Sequence, residues 1–378
     1  MTGEMLVGDL TRPVPADAAF AAPTPEDCAT ERALKRERVL AVLDRSGRDA
    51  VLLTSTTALT WYLGGSRVHI SLAGDPVAAV LVTGDGDHLV TFTNEFERLR
   101  SEELPPGLTL HQVPWHQQLH EVGRWFGPGV APAAEAELAR DLRDARRSLL
   151  PVELSRYRAL NREVAAILTD VLMTVSPEST ERQVTATLAE RVTNIGAEPL
   201  VLLCNGSSRS TFRHPLPTAA PLGAGAMVVV CARRHGMVAN ATRWVRFGAA
   251  TASALDAERR IALVEEDIFT ATVPGARLNG IIDQLRESYE RHGFGPDQWL
   301  MHHQGGPAGY AGRDPRATPV TDDEVVANQS FTWNPSAPGV KIEDTVLLGD
   351  AGIEVLSVDQ RWPVERVGNL DRPTTLQL

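Results

Sequence analysis

Lysine is nearly absent from this chain. Lys35 and Lys341 are the only two among 378 residues, so arginine carries almost all the positive charge. Acidic residues still outnumber basic ones, 48 to 37, for a net charge of −11. A chain of that sign is poorly suited to a nucleic-acid backbone, and no nucleic-acid partner is expected. Cysteine is equally sparse. Cys28, Cys204 and Cys231 form an odd set with no CxxC pair, which excludes a disulfide framework and a thiolate zinc site. No run of about 18 apolar residues occurs, so no membrane-spanning helix is expected. Met1 to Pro23 has no basic stretch followed by an apolar one, so the sequence predicts no signal peptide and a cytoplasmic location.

What is present is ordinary for a globular protein, with 43% hydrophobic and 22% charged residues, in a length that suits two domains. Residues 1–25 hold four prolines without periodicity and read as an N-terminal arm. Residues 26–150 read as a small α/β domain. An amphipathic helix is predicted from Glu31 to Ser46 and a buried strand from Asp49 to Thr54. Two further strands, Pro76–Thr83 and His88–Thr93, are joined by a Gly84-Asp85-Gly86-Asp87 turn. From Glu153 the texture changes to a helical period over more than 20 residues. Ser176-Pro177 stops it, and Thr180 can cap a second helix. Strands are predicted at Leu200–Cys204, Ala226–Cys231, Met237–Ala241 and Arg243–Phe247. Helices follow at about Asp256–Thr272 and Leu278–His292, then strands at Gln329–Trp333 and Thr345–Gly349. The order of two helices then strands, used twice in 151–378, predicts an α+β domain of two related halves around one antiparallel sheet.

Several short motifs in this second part resemble, in order, those of the creatinase/aminopeptidase P/prolidase superfamily, whose catalytic domain is called the pita-bread fold. Phe212-Arg213-His214-Pro215 resembles the segment with the family's first active-site histidine. Gly236-Met237-Val238-Ala239-Asn240-Ala241-Thr242-Arg243 resembles its "GYxxDxTR" hairpin. His302-His303-Gln304-Gly305-Gly306 resembles "HxxGH", Phe331-Thr332-Trp333-Asn334-Pro335 resembles "FxxEP", and Lys341-Ile342-Glu343-Asp344 resembles "RxED". In the first domain, Leu59-Thr60-Trp61-Tyr62-Leu63-Gly64-Gly65 resembles the companion domain's "IxYLTG".

The departures carry as much as the matches. The resemblance implies a dinuclear metal site built from two Asp, a His and two Glu. Here those positions fall near Val229 and on Asn240, Gly306, Asn334 and Glu343. One carboxylate with two amides, a Val and a Gly cannot hold two cations, so no metal and no cofactor are expected. Creatinase, a relative without a metal, implies another chemistry. It hydrolyses a C–N bond with a histidine, glutamates and carboxylate-binding arginines. By that resemblance His214, His302 and Glu343 are the candidate catalytic residues. Arg67, His69, Asn240, Arg243, His303, Arg313 and Asn334 are the candidate substrate contacts. The expected activity is metal-independent hydrolysis of an amide-like C–N bond in a small carboxylate-bearing metabolite, such as an N-acyl amino acid or an N-acetylcysteine S-conjugate. The alternatives are an inactive small-molecule binding protein and an Xaa-Pro-type metallopeptidase with a displaced metal. The creatinase likeness also implies a homodimer in which Arg67 reaches the partner's site.

Read without the resemblance, Glu343 alternates with Lys341 and could simply pair with it, and Arg313 could pair with Asp314. Cys204 and Cys231 fall in strands, where a small apolar role is the default. Trp115, Trp125, Trp244 and Trp333 read as core or interface material, with Trp333 able to wall a pocket beside Asn334.

Overall fold

The computed structural model describes residues 24–121 and 131–378. Almost all of the 1–25 arm, and Trp125, lie outside the described residues. The first helix starts at Pro25, earlier than the apolar period alone indicates, and runs to Ser46. Thr24 explains the earlier start. Its hydroxyl accepts from Asp27 N at 3.1 Å while the Asp27 carboxylate accepts from Thr24 N at 2.9 Å. This reciprocal cap satisfies two donors that a helix start otherwise leaves open. Four strands follow, β1 (Ala50–Leu53), β2 (Ala78–Thr83), β3 (Asp87–Phe92) and β4 (Thr109–Val113), and then the short β5 (Ala133–Ala134). They form one sheet in the order β4-β3-β2-β1-β5. β2 and β3 are joined through Gly84–Gly86, where the sequence places a turn, with Thr83 N donating to Gly86 O.

The second sheet holds the later strands. Helices Pro151–Leu172 and Glu181–Asn194 precede β6 (Glu198–Gly206), β7 (Gly225–Arg234) and β8 (Met237–Arg246). Thr180 caps the second helix in a capping box with Gln183. Helices Ala252–Ala271 and Leu278–Arg291 precede β9 (Gly305–Ala308), β10 (Gln329–Trp333), the small β11 (Ser336–Ala337) and β12 (Val340–Lys341), and β13 (Asp344–Gly349). The two pair-of-helices-then-strands halves meet where β8 lies beside β13, and the sheet path is β6-β7-β8-β13-β10-β9. β14 (Gly352–Val355) extends it. β15 (Val364–Val367) and β16 (Leu370–Pro373) form a separate hairpin before β17 (Leu376–Gln377) returns to β8. The sequence periodicity had no signal for these last short strands.

β8 is one unbroken strand, where the sequence suggested two. The break was read at Thr242, which instead keeps the ladder, opposite Val229. The turn between β7 and β8 is only His235–Gly236, both with positive φ, as a two-residue hairpin turn requires. That short turn fixes the register. Each half buries its own apolar cluster between helices and sheet. A third core joins Val39, Trp61 and Leu89 of the first part to Tyr157, Met237 and Tyr310 of the second, so packing is continuous across residue 150. Among the described residues no helix is long and apolar enough to cross a membrane.

Candidate active site

Side chains alternate across a strand, so neighbours on β8 and β13 serve opposite faces. Asn240, Thr242 and Glu343 point to one face, where Thr242 Oγ1 donates to Glu343 Oε2 at 2.7 Å. Arg243 and Asp344 point to the other and pair at 2.8 Å. Arg372 joins Asp344 and Glu265 there, and Arg243 also donates to Ser357 O. Arg243 is therefore engaged in a closed ion network behind the sheet, away from the face that holds Glu343. Its place in the motif implied a substrate contact, but strand alternation sends it elsewhere.

Three histidines gather on the Glu343 side. His214 comes from the loop after β6, and His302 and His303 come from the segment leading into β9. His214 Nε2 and His302 Nε2 are 3.0 Å apart. The His302 and His303 rings stack at 4.3 Å. Nδ1 of His302 and Nδ1 of His303 are buried without a partner. Burial, reinforced by Lys341 and its histidine neighbours, pushes His302 down to about 2. Burial and then Arg313 push His303 down to about 3. His214 is exposed, yet partial desolvation of its ring and then Lys341 lower its pKa as well. All three rings are neutral at neutral pH.

Glu343 is buried and fully engaged. Lys341 Nζ is 2.7 Å from Oε2 and Arg313 donates to Oε1 at 2.8 Å. Burial alone would raise its pKa, but Lys341 and Arg313 hold it far below the usual carboxylate range. It stays charged, so it positions cations and cannot serve as a base. The Lys341 pair that alternation allowed is thus present, and it lies inside the site. Arg313 does not pair with Asp314, because Arg146 takes that carboxylate at 2.8 Å. Arg313 keeps Nε buried and unpartnered.

Asn240 donates both amide hydrogens within the chain, to Val238 O at 3.2 Å and to Thr332 Oγ1 at 3.3 Å, so neither is open to a carbonyl. Asn334 Oδ1 is buried and unpartnered. Trp333 does not wall this site. It is fully buried in the second half's core and stacks on Phe331. Cys204 is buried as its strand position suggested, Trp115 is largely exposed, and Trp244 is half-buried.

Arg67 and His69 lie elsewhere in the chain. Arg67 is paired with Glu103 at 2.6 Å, and His69 with Glu198 at 2.6 Å beside Arg233. Gly65 explains this packing, since a Cβ there would lie 2.7 Å from the His235 backbone. The segment thus presses against the tip of the β7–β8 hairpin of its own chain.

The register locates the family's metal positions. Asn240 is opposite Cys231, and Val229, two residues earlier on β7, shares that face. Val229 is opposite Thr242, so the position that motif spacing assigns to the first Asp lies diagonal to Asn240 on the same face and carries no donor side chain. Cys231 supplies no carboxylate on that face. Burial and then Glu343 push its thiol up to about 12, where it is neither a ready metal ligand nor a nucleophile. Gly306 has φ +136, and a Cβ there would fall 2.8 Å from Ala317 N and 2.9 Å from Pro315 O. The loop backbone fills the space of the family's histidine. Val229, Asn240, Gly306, Asn334 and an already paired Glu343 do not fit a dinuclear site, and Cys231 beside them adds no ready donor. His214, His302 and His303 do place one ring nitrogen each within 4.8 Å of one another, a donor type that suits a transition metal. Lys341, Arg313 and Arg316 surround those rings with positive charge, which opposes a further cation.

Lys341 is the side chain of this cluster that motif reasoning passed over as anything more than a partner for Glu343. Its signal was available, because a lone lysine one alternation away from Glu343 in an otherwise lysine-free half is unusual.

The comparisons agree with this architecture. No curated protein matches the sequence. Among solved structures, the prolidase from Pyrococcus horikoshii OT3 superposes with a TM-score of 0.72 at 17% identity, covering 86% of this chain and 99% of its own. The Xaa-Pro dipeptidase from Bacillus anthracis gives 0.69 at 15% identity, covering 92% and 100%. The X-Pro aminopeptidase from Thermotoga maritima MSB8 gives 0.70 at 17% identity, covering 91% and 99%. Likeness at such identities establishes the pita-bread fold. The sequence profile of metallopeptidase family M24 matches residues 155–350, more than half of the chain. With that profile spanning both halves of the sheet, from the first of the two helices before β6 to the end of β13, the chain belongs to metallopeptidase family M24.

Proposed function

We propose that this family member hydrolyses an amide-like C–N bond in a small carboxylate-bearing metabolite, such as an N-acyl amino acid or N-acetylcysteine S-conjugate, without a metal. The observation that carries the reading is the His214–His302 contact at 3.0 Å beside an unpartnered Arg313 Nε. With the Nε2–H of His214 donated to Nε2 of His302, Nδ1 of His214 holds a free lone pair. A water gives that nitrogen a proton and adds to the carbonyl carbon, and the π electrons move to oxygen. The cationic groups of Arg313 and Lys341 favour that developing charge in a partly desolvated site. Collapse restores the C=O and breaks the C–N bond. The nitrogen leaves with the bonding pair and takes the proton from His214, so one water is consumed and a carboxylic acid and an amine result, which pass the acid's proton on to become carboxylate and ammonium. Glu343 acts through others, holding Lys341 and Arg313 in place.

The test is an assay of the purified protein on N-acyl amino acids, with and without chelator. Turnover should survive chelation, and His214→Ala should lower it by about 10²–10⁴-fold. Stoichiometric metal whose removal abolishes turnover would overturn the metal-independent reading in favour of a displaced metal centre. Tight binding of the same compounds with no turnover would leave a binding protein.

A further inference from the structure

His214 stands on a segment with little packing of its own. The chain leaves β6 at Gly206, and between Ser207 and Leu216 only Pro215 is buried. Thr211, Phe212, His214 and Leu216 are all exposed. A stretch with so few buried apolar contacts is free to move, yet a base must be held within about 0.5 Å of its working position. The hold has to come from outside the segment.

The helix Glu181–Asn194 supplies it. A helix start leaves its first N–H groups without partners in the helix. Here Glu181 N donates to Ala220 O at 3.0 Å and Arg182 N donates to Thr218 O at 3.0 Å, so the far end of the segment lies across the helix start. The Glu181 side chain is completely buried. It accepts from Gly206 N at 2.8 Å, and from Thr218 N and Thr218 Oγ1 at 2.7 Å each. Gly206 and Thr218 bracket the segment, so one carboxylate closes it at the base. Its remaining partner is Arg209, in an ion pair. Burial alone would raise the Glu181 pKa, but the bonds from Gly206 and Thr218 and the charge of Arg209 hold it below the usual carboxylate range.

Arg209 carries the hold to the tip. Its Nη2 donates to Leu216 O at 3.1 Å, and its guanidinium lies 5.4 Å from the centre of the Phe212 ring. Those contacts fall two residues after and two residues before His214. Arg209 O accepts from Phe212 N at 3.1 Å and from Asn205 Nδ2 at 3.0 Å, which ties the same turn back to β6. We infer that Glu181 and Arg209 are a positioning pair for His214: the carboxylate closes the base of the segment, and the guanidinium holds its tip so that the ring keeps its contact with His302. Neither side chain touches the reacting atoms. The pair's value to turnover rests on the hydrolase reading, but the seating of the ring does not.

That seat has a signature in the ring itself. Partial desolvation, then Lys341 and Arg316, lower the His214 pKa, while Glu343 opposes them. A loosened segment would carry the ring into water and away from Lys341, and the pKa would return toward about 6.5.

The measurement is an NMR titration of the His214 ring in the full chain, assigned by the signal that His214→Ala lacks. Turnover on N-acyl amino acids is read separately. Arg209→Lys is the main variant. It leaves the buried Glu181 a positive partner, so folding is not endangered by a lone charge. A single ammonium cannot pair with Glu181, reach Leu216 O and lie over Phe212 together, as the planar fork does. Glu181→Gln is the second variant. The unaltered ring should titrate below about 6.5, and both variants should move it up toward that value. The kcat should fall by up to about 10²-fold, the loss that a displacement near 1 Å brings, with KM changed far less. An unmoved titration in both variants would overturn the positioning pair whatever happens to the melting temperature, because lost stability alone leaves the ring of the folded protein in place. An unaltered ring already at its ordinary value would overturn it too. A shifted titration with full kcat would overturn the pair's value to turnover. A shifted titration in a protein that hydrolyses none of the compounds would keep the seat and sink the hydrolase reading.

Discussion

The chain's two lysines sit in two buried charge clusters that differ in how completely they are satisfied. Lys35 is completely buried and close to four partners. It lies 2.6 Å from Glu31, 2.7 Å from Glu153, 2.7 Å from Trp61 O and 3.1 Å from the Tyr310 hydroxyl. Around it Arg156 adds a second contact to Glu31, and Tyr310 donates to Glu153 at 2.6 Å. This cluster ties the first helix to the helix that opens the second part and to the loop after β9. Lys341 has one carboxylate at 2.7 Å, and its surroundings keep open valences on Arg313 Nε, Asn334 Oδ1 and two histidine Nδ1 atoms. Buried polar groups are nearly always partnered, so a closed cluster reads as architecture and an open one as a place awaiting a ligand.

Removing Lys35 tests the architectural side and should have the largest effect on stability. Lys35→Met leaves Glu153 and Glu31 buried with a partner missing, and breaking such a pair costs about 3–5 kcal/mol. Urea unfolding should show that loss, while the protein that remains folded keeps its turnover. A loss under about 1 kcal/mol would mean the cluster relaxes to admit water, and the contrast with Lys341 would vanish.

Lys341→Met should be milder for folding and harsher for chemistry. Glu343 keeps Arg313 and Thr242, so the stability loss should be that of one charged hydrogen bond, about 1.5–3 kcal/mol. Lys341 also lowers the pKa of His214 and His302. The neutral ring is the base, so activity is lost as pH falls through the His214 pKa. In the unaltered protein that acid limb should lie below the 6.5 of an ordinary histidine, and in Lys341→Met it should move up. An acid limb unmoved in the variant would remove Lys341 from the site's electrostatics.

A third expectation concerns stability against pH. His302 and His303 are held near 2 and 3 in the folded chain and return to about 6.5 when unfolded. A depressed pKa contributes stability that is whole above the unfolded value and is lost as pH falls toward the folded one. The melting temperature should therefore decline between pH 6.5 and pH 5, and the decline should be shallower in His303→Gln. Equal slopes would show that the His303 ring is solvated in the native state.

Much of this fold was legible because its signals are local. Thr180 with Gln183, the Gly84–Gly86 turn and the two helix pairs are written in neighbouring residues. The motif order brought His214, His302, His303 and Glu343 to attention, and these four do share one side of the sheet. Register was not legible in the same way. That Cys231 stands opposite Asn240, with Val229 diagonal to it, depends on a turn of two residues that motif spacing does not reveal. Facing was missed for Arg243, where adjacency to Thr242 in sequence means opposition in space. Of the Lys35 cluster only the i,i+4 spacing of Glu31 and Lys35 is local, and Glu153 and Tyr310 join it only through the tertiary fold.

Arg67 supplies the smallest expected effect on stability and the sharpest contrast with Lys35. Its side chain is 60% exposed, and Glu103, its partner, also accepts from Arg67 N at 2.8 Å, a bond that Arg67→Ala keeps. The Glu103 side chain is 6% exposed, but the Arg67 guanidinium is largely in water and its attraction is screened, so the variant should unfold within about 1 kcal/mol of the unaltered chain. A loss above 2 kcal/mol would place Arg67 with Lys35 as architecture. Function is a separate matter under the proposal that the protein is a closed dimer with Arg67 of one chain serving the other's site, the commonest soluble symmetry. Sedimentation at micromolar concentration should then show a dimer. Arg67→Ala should lower turnover despite its small effect on folding. Mixing it with His214→Ala should restore part of the activity, because some hybrid dimers carry one site with both groups intact. A fully active monomer, or no rescue after demonstrated subunit exchange, would confine Arg67 to its contact with Glu103 and leave the histidine cluster to act within one chain.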